Sequence, residues 1–289
     1  MTSLLIRLGA LGFFAVQIGC SGDTTPADEI PLEENSEAEK EAKKTGAKDK
    51  LDLNALADAV NKAELVPSPI EMEAKLKSAG LQQNLGSLIS TSKDLKVIVD
   101  DNDQVAIRTG IVMADLVLTL KTSEQASILK RLGKMKAGLK KLGAGDDIYA
   151  VLEDFEMRVQ DNSINKETLL EEFDELSQVM VSELEYEAGE WVVPLIQAGT
   201  WLEGANLVAK VMHKENKYNA ADEFFRQKEI VEYFISYIDR DGKDRAPDQV
   251  IAKLLTTLTD LKNIADKPKI SGADVQKIEG LTDLVLNLL

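Results

Sequence analysis

The chain has 289 residues, of which 44% are hydrophobic, so it can bury a sizeable core in one or two domains. Its 50 acidic and 34 basic residues give a formal net charge of −16, which argues against a nucleic-acid partner because phosphate attracts lysine and arginine. One cysteine and one histidine exclude a disulfide framework and multi-histidine metal sites, so we expect no metal and no bound cofactor.

The first nineteen residues have the layout of a secretory signal peptide. Arg7 is followed by an uncharged run from Leu8 to Gly22, which at 15 residues is shorter than the roughly 20 that a membrane-spanning helix needs. Residues 1–19 are therefore predicted to direct export and to be removed.

Cys20 is the only cysteine, and it follows Gly19 at the end of this leader. The segment resembles the lipobox of bacterial lipoproteins, although Gln17 stands where that family usually has leucine. The resemblance implies cleavage before Cys20 and acylation, for example with palmitate, of its thiol and new amine, and stable anchoring needs two or three chains. It also implies an exported, membrane-anchored protein, at the outer membrane or facing the periplasm if the source is Gram-negative. The alternative is an ordinary signal peptide that ends in cysteine.

Residues 20–50 are predicted to be a disordered tether that begins with the lipidated cysteine. From residue 21 onwards the segment has nine acidic and five basic residues, and Ile30 and Leu32 are its only large apolar side chains. As a flexible coil it spans roughly 30 Å.

Residues 51–289 are predicted to form one all-α domain, a bundle or array of about ten helices. Apolar residues recur at three- and four-residue spacing, without sustained alternation of period two. Short links favour antiparallel neighbours, and a helical solenoid is the second choice. The predicted helices cover roughly 51–64, 69–79, 81–90, 103–121, 123–142, 146–161, 165–188, 191–213, 219–238, 247–265 and 271–288, and 96–99 is ambiguous. The predicted caps pair Ser68 with Glu71, Thr122 with Gln125, and Ser271 with Asp274.

Two of these helices are predicted to be central, because apolar residues surround them on nearly all sides. They are the helices at 103–121 and 191–213, and each carries small residues at or near four-residue spacing. The small residues are Ala106, Gly110 and Ala114 in the first helix and Ala198, Ala205 and Ala209 in the second. Such residues let helix axes approach closely, and Pro194 predicts a break near the start of the second helix.

The same two helices carry two motifs, Arg108–Leu116 and Gln197–Gly204. They read RTGIVMADL and QAGTWLEG. Both resemble recurring patterns of a group of uncharacterised all-helical bacterial lipoproteins, and the similarity extends over roughly residues 90–215. The resemblance implies the helical fold and the envelope location, but it implies no activity.

Asp115 and Glu203 are the strongest candidates for a ligand site or a buried polar site, because each is an acid in an otherwise apolar helix. They can form an acid/base pair, a cation site or a site for a cationic ligand, or each can simply accept hydrogen bonds within the bundle. Arg108 lies on the face of Asp115 but two turns away, so another helix must supply the partner of Asp115. Trp201 lies on the other side of its helix from Glu203, as expected of a core anchor. No nucleophile, base and metal constellation accompanies these residues, so we expect no enzymatic activity.

The predicted helix at 123–142 is basic on one side and has no acid between Ile128 and Gly145. Two interpretations remain open: contact with an anionic membrane surface or an acidic partner, through Lys130, Arg131, Lys134 and Lys141, or pairing with the acidic helices at 146–187. The sequence as a whole predicts a lipid-anchored envelope protein that acts as a binding or scaffolding module. The alternative is a helical small-ligand-binding lipoprotein with a pocket near Asp115 and Glu203.

Overall fold

The computed structural model describes residues 66–89, 95–161, 163, 165–240 and 248–289, which all lie in one compact unit, Leu51–Leu289. Within these residues the chain forms ten α-helices, one 3-10 helix and no strand, which confirms the predicted all-α fold. The α-helices are α1 (Pro69–Ser78), α2 (Asn102–Thr119), α3 (Gln125–Leu142), α4 (Asp146–Gln160), α5 (Lys166–Ala188), α6 (Val192–Glu215), α7 (Ala221–Phe225), α8 (Lys228–Ile238), α9 (Gln249–Ala265) and α10 (Gly272–Leu288); the 3-10 helix is Leu85–Leu88. The predicted leader, tether and helix at 51–64 lie outside the described residues.

Capping residues fix where several helices begin. Ser68 and Glu71 form a reciprocal capping box at α1, and Ser271 and Asp274 form one at α10, so both predicted boxes are confirmed. Hydrogen bonds from Lys267 and Ser271 lower the pKa of Asp274 to about 2. The carboxylate that caps α10 is therefore ionised throughout the neutral range.

The helix predicted at 81–90 is wrong, because only the 3-10 helix forms there. Leu81 and Leu85 are fully buried, and Gly86 packs so closely on α2 that a Cβ atom would lie 2.3 Å from the Leu118 carbonyl oxygen. This tight contact with another helix sets the local backbone. The ambiguous stretch 96–99 has no regular secondary structure, nor has Leu95 before it.

The helix predicted at 219–238 is interrupted and gives α7 and α8. The backbone leaves the helical conformation at Arg226 and Gln227, and the Gln227 Oε1 atom accepts a hydrogen bond from the Trp201 indole at 3.2 Å. The predicted cap at Thr122 is also wrong. α3 begins at Gln125, and the Thr122 hydroxyl donates instead to the Thr119 carbonyl oxygen at 3.5 Å.

α2 and α6 form the centre of the fold, as predicted, and both are buried on nearly all sides. α6 contacts α1, α2, α5, α7, α8 and α10, while α3 packs on α2 and α4 packs on α3. α9 contacts α8 and α10. Pro194 lies in the first turn of α6, where its missing N–H is tolerated, and Gly189, with φ of 102°, marks the break before it.

Contacts at both ends show that α2 and α6 run in the same direction. At the N-terminal end, Arg240 contacts both Asp103 of α2 and Trp191, the residue before α6. At the C-terminal end, residues 82–86 contact both the last turn of α2 and Glu215 of α6. The two motifs that the sequence singles out therefore lie on parallel neighbouring helices.

Candidate functional site

The crossing of α2 and α6 is made by the glycines of the two motifs. A Cβ atom on Gly110 would lie 1.9 Å from the Ile196 carbonyl oxygen, and one on Gly199 would lie 2.0 Å from the Ile107 carbonyl oxygen. The Thr200 hydroxyl lies 3.1 Å from the Gly110 carbonyl oxygen and donates to it across the crossing. The backbones are in direct contact, so these motif residues have a packing role.

The crossing also positions the two acids that the sequence singles out. Asp115 lies five residues beyond Gly110, and Glu203 four residues beyond Gly199, so both are about 6–8 Å past the crossing in the same direction. Glu203 is buried, with 9% of its surface exposed, and Asp115 is partly buried. Each takes part in a polar or electrostatic interaction within the chain. The two acids therefore lie at the same level along the crossing, and both are already engaged by the fold.

Arg108 does not join this pair of acids. Its guanidinium donates to the Lys96 carbonyl oxygen (Nη1, 2.6 Å) and to Gln104 Oε1 (Nη2, 3.0 Å), both towards the N-terminal end of α2. Burial lowers the pKa of Arg108, with Asp248 opposing the effect. Arg108 therefore fastens the irregular stretch 95–99 to α2.

Trp201 also lies away from the acids, on the side of α6 that faces α8. It is 3% exposed, its ring centroid lies 5.8 Å from that of Phe234, and its indole N–H donates to Gln227. The adjoining crevice, which is also lined by Met72 and Phe224, has a volume of only about 10 Å³. That is room for about one water molecule, so the surroundings of Trp201 are those of a core anchor.

A larger cavity of about 240 Å³ lies between α1, the end of α2 and the start of α5. Its polar lining is Glu73, Lys77, Asn84 and Lys121, and its apolar lining includes Ile70, Val117, Leu118 and Leu170. The Glu73 carboxylate accepts from Lys77 Nζ (2.5 Å) and Asn84 Nδ2 (3.2 Å). The Asn84 Oδ1 atom is buried and has no hydrogen-bond partner among the described residues. Leu118, which lines the cavity, follows Asp115 by three residues in α2, so the cavity lies about one helical turn from Asp115.

A polar network between α6 and α10 was missed by sequence reasoning. Asn206, 1% exposed, donates through Nδ2 to Thr282 Oγ1 at 2.9 Å and to Asp283 Oδ1 at 3.0 Å. Lys210 pairs with the same Asp283 at 2.7 Å. His213 is exposed, and its Nδ1 atom lies 2.7 Å from Glu279 Oε2. The signal that could have found this network is the recurrence of polar residues along α6 at four- and three-residue spacing, from Asn206 to Lys210 to His213.

A second missed cluster joins the N-terminal ends of α2 and α6. Arg240 makes two hydrogen bonds to Asp103, which is 2% exposed, at 2.8 and 3.1 Å. The guanidinium also lies 4.7 Å from the Trp191 ring centroid. Nearby, burial raises the pKa values of Tyr233 and Tyr237. The two charges of this pair are 137 residues apart, so no local pattern reveals it.

The structure divides the basic residues of α3 into two sets. On its flanks, Lys134 Nζ donates to the Leu95 carbonyl oxygen at 2.9 Å, and Lys136 Nζ pairs with Glu156 at 2.6 Å. Lys130, Lys140 and Lys141 are exposed, and Arg131 is half-buried. Of the two interpretations, pairing with the acidic helix α4 therefore applies to Lys136. The outward face of α3, with Lys130, Lys140 and Lys141, is basic.

Two kinds of feature are absent from the part of the chain that the structure describes. It contains no group of three or more His, Cys, Asp or Glu side chains arranged to hold a metal ion. None of its helices combines the length and the apolar character that are needed to cross a bilayer. Cys20, the predicted acylation site, lies outside the described residues.

Comparisons of the sequence and fold with known proteins give no further guide. No family model matches the chain, and neither a curated protein nor a solved structure matches it. The resemblance of the two motifs to helical lipoproteins therefore stays a prediction.

Proposed function

We propose that this chain is an exported lipoprotein, held to the cell envelope through acyl chains on Cys20, whose helical domain is a binding or scaffolding module. One observation carries the proposal: the only thiol of the chain follows a short leader of one arginine and an uncharged apolar run. A lone cysteine at this position is what lipoprotein processing requires. The proposed location is the outer membrane or the periplasmic face if the source is Gram-negative.

The geometry of the helical domain supports a module without chemistry of its own. The motif glycines serve the crossing of α2 and α6, Arg108 holds the stretch 95–99, and Trp201 fills the core. These roles are structural, so these residues specify the scaffold. We accordingly place the function in the anchor and in the surfaces of the domain.

Cys20→Ser is expected to abolish lipid attachment completely. In cells fed an alkyne analogue of palmitate, the native chain should carry the label and sediment with membranes, because the thiol is the first acyl acceptor. The variant should carry no label and should keep its leader, which gel mobility and N-terminal mass analysis would show. Ser21→Ala, one residue away, is the matched control and should be labelled like the native chain. A cleaved but unlabelled native chain would identify an ordinary signal peptide instead.

A second candidate function, binding of a small ligand, is favoured by the cavity of about 240 Å³ that lies one turn from Asp115. Its mixed polar and apolar lining suits an amphipathic molecule. The cavity is slightly smaller than the usual range for ligand pockets. Its lining does not include Asp115 or Glu203, so any role of these acids there is indirect.

Substitution of the acids tests whether they are structural. If Glu203 and Asp115 are structural, Glu203→Gln and Asp115→Asn should each lower the free energy of unfolding by about 1–3 kcal/mol, because the interaction that each carboxylate makes within the chain loses its charge. Urea unfolding measures this, and Glu153→Gln, at a side chain that is 65% exposed, is the control that should stay within about 0.5 kcal/mol. Unchanged stability would contradict the structural role of the acids. Loss of a non-covalent adduct in native mass spectrometry on substitution of Lys121→Ala, at an exposed residue that lines the cavity, would support the ligand site.

A further inference from the structure

The outward face of α3 is an exposed basic ridge. Residues at four- and three-residue spacing line it: Ala126, Lys130, Gly133, Ala137, Lys140 and Lys141, all of them exposed. The opposite face is buried through residues such as Leu132, Met135 and Leu139. α3 is therefore held firmly by the core, and the basic ridge is a fixed feature of the surface.

The charge of the ridge contrasts with the rest of the molecule. The chain carries a net charge of −16, yet α3 contains no acidic residue. The neighbouring cations Lys134 and Lys136 are partly buried against Leu95 and Glu156. The lysines of the ridge are exposed to solvent, and Lys130 also takes part in an interaction within the chain. The contact set expected from the sequence therefore changes: Lys134 and the half-buried Arg131 leave it, and Lys140 joins it.

The shape of the ridge suits a flat surface. Between its lysines stand only alanine and glycine, and around Gly133 no other atom lies within 4 Å of where a Cβ atom would be. The ridge offers no large apolar side chain of the kind that anchors protein–protein interfaces, and lysine is depleted in such interfaces. Lysine does suit a diffuse array of phosphates, which it meets as a flexible, hydrated point charge.

We propose that the basic ridge of α3 rests on an anionic phospholipid surface and so orients the helical domain on the membrane. This inference rests on the proposed anchoring through Cys20, because the anchor keeps the domain within reach of the bilayer. Each lysine held at an anionic surface strengthens binding about fivefold, so three lysines give weak binding to a free protein. They suffice to orient a tethered domain, whose effective concentration at the membrane is about millimolar.

The test attaches the chain to vesicles without relying on cellular lipidation. The chain from Cys20 to Leu289 is coupled through its single thiol to a maleimide lipid, in vesicles of pure phosphatidylcholine or with about one-third phosphatidylglycerol. An amine-reactive acetylating reagent then reports how accessible each lysine is, by peptide mass spectrometry. Chemical coupling replaces the acyl anchor. A ridge that does not bind anionic lipid is therefore distinguishable from a Cys20 that is not acylated in cells.

We expect Lys130, Lys140 and Lys141 to react at least about threefold more slowly on the anionic vesicles at about 0.1 M salt, and to regain full reactivity near 1 M. Exposed Lys214 and Lys269, on or next to other helices, should react equally on both kinds of vesicle. Equal rates for the ridge lysines on both vesicles would overturn the proposal and leave an acidic protein as the partner class. Slower reaction of all five lysines would overturn it too, since it would reflect crowding alone.

A charge-reversal pair with a matched control sharpens the result. In Lys130→Glu/Lys140→Glu, the remaining Lys141 should lose its protection on anionic vesicles, because two of the three contacts become repulsive. Lys214→Glu/Lys269→Glu changes the net charge equally, and there Lys141 should stay protected. These four positions are exposed, so the substitutions leave the core intact. Protection of Lys141 in both variants would contradict the role of the ridge.

Discussion

Gly110→Ala is expected to lower the free energy of unfolding by about 3 kcal/mol, although alanine is the better helix former. The new methyl group would lie 1.9 Å from the Ile196 carbonyl oxygen and 2.9 Å from the Thr200 amide nitrogen. These are backbone atoms of α6, so no side-chain rotation relieves the clash, and the two central helices must move apart. Gly199→Ala, which places a methyl group 2.0 Å from the Ile107 carbonyl oxygen, should have a similar effect.

Urea unfolding followed by circular dichroism measures these changes, and two other helical glycines are matched controls. At Gly133 in α3 and Gly280 in α10, no neighbouring atom lies within 4 Å of the position that a methyl group would take. Gly133→Ala and Gly280→Ala should therefore raise the free energy of unfolding by about 0.5–1 kcal/mol. The same substitution is thus expected to lower the free energy of unfolding at the helix crossing and to raise it at the surface.

The double variant Gly110→Ala/Gly199→Ala tests the mechanism further. Once one methyl group has separated α2 from α6, the second meets less resistance, so the combined loss should be smaller than the sum of the two. Additive losses, or an unchanged stability in Gly110→Ala, would show that the helices do not touch through these glycines.

The sequence reveals this crossing only in part. The stripes Ala106–Gly110–Ala114 and Ala198–Ala205–Ala209 indicate close helix approach, and the all-round apolar pattern indicates central helices, since both are local properties of one helix. Which glycine meets which carbonyl depends on the register between helices, about 90 residues apart in the chain. That register is set by the whole core, so no single segment encodes it.

The wrong helix predictions have the same cause. Local periodicity and capping residues gave the boundaries of most helices, because 3.6-residue patterns and caps act within a few residues. At 81–90 and at 226–227 the backbone follows a tertiary contact, with Leu118 in one case and Trp201 in the other. The buried pair of Asp103 and Arg240 could not be predicted for the same reason, because it is a tertiary contact between distant segments. Which lysines of α3 are paired and which are exposed also depends on the segments that pack beside the helix.

Trp201→Ala is expected to lower the free energy of unfolding by about 3–5 kcal/mol, the usual cost of removing a large buried aromatic side chain. The indole is almost fully buried and lies against the Phe234 ring. Its N–H donates a hydrogen bond to Gln227, in the interruption between α7 and α8. Its removal leaves a void between α6 and α8. It also removes the hydrogen bond to Gln227, which holds the interruption between α7 and α8 in place. Urea unfolding measures the loss, and Trp201→Phe, which keeps most of the aromatic volume, should lose less than half as much.

The chain offers an internal control, since it has two tryptophans. Trp191 is half-buried and covers the Arg240 guanidinium at 4.7 Å, so Trp191→Ala should cost only about 1–2 kcal/mol. Trp191→Phe leaves Trp201 as the only indole, and its emission should be blue-shifted and resistant to iodide quenching until the protein unfolds. A Trp201→Ala variant that unfolds at the native urea concentration would contradict the role of core anchor. Readily quenched emission would do the same, because an indole that faces a ligand site is open to solvent when the site is empty.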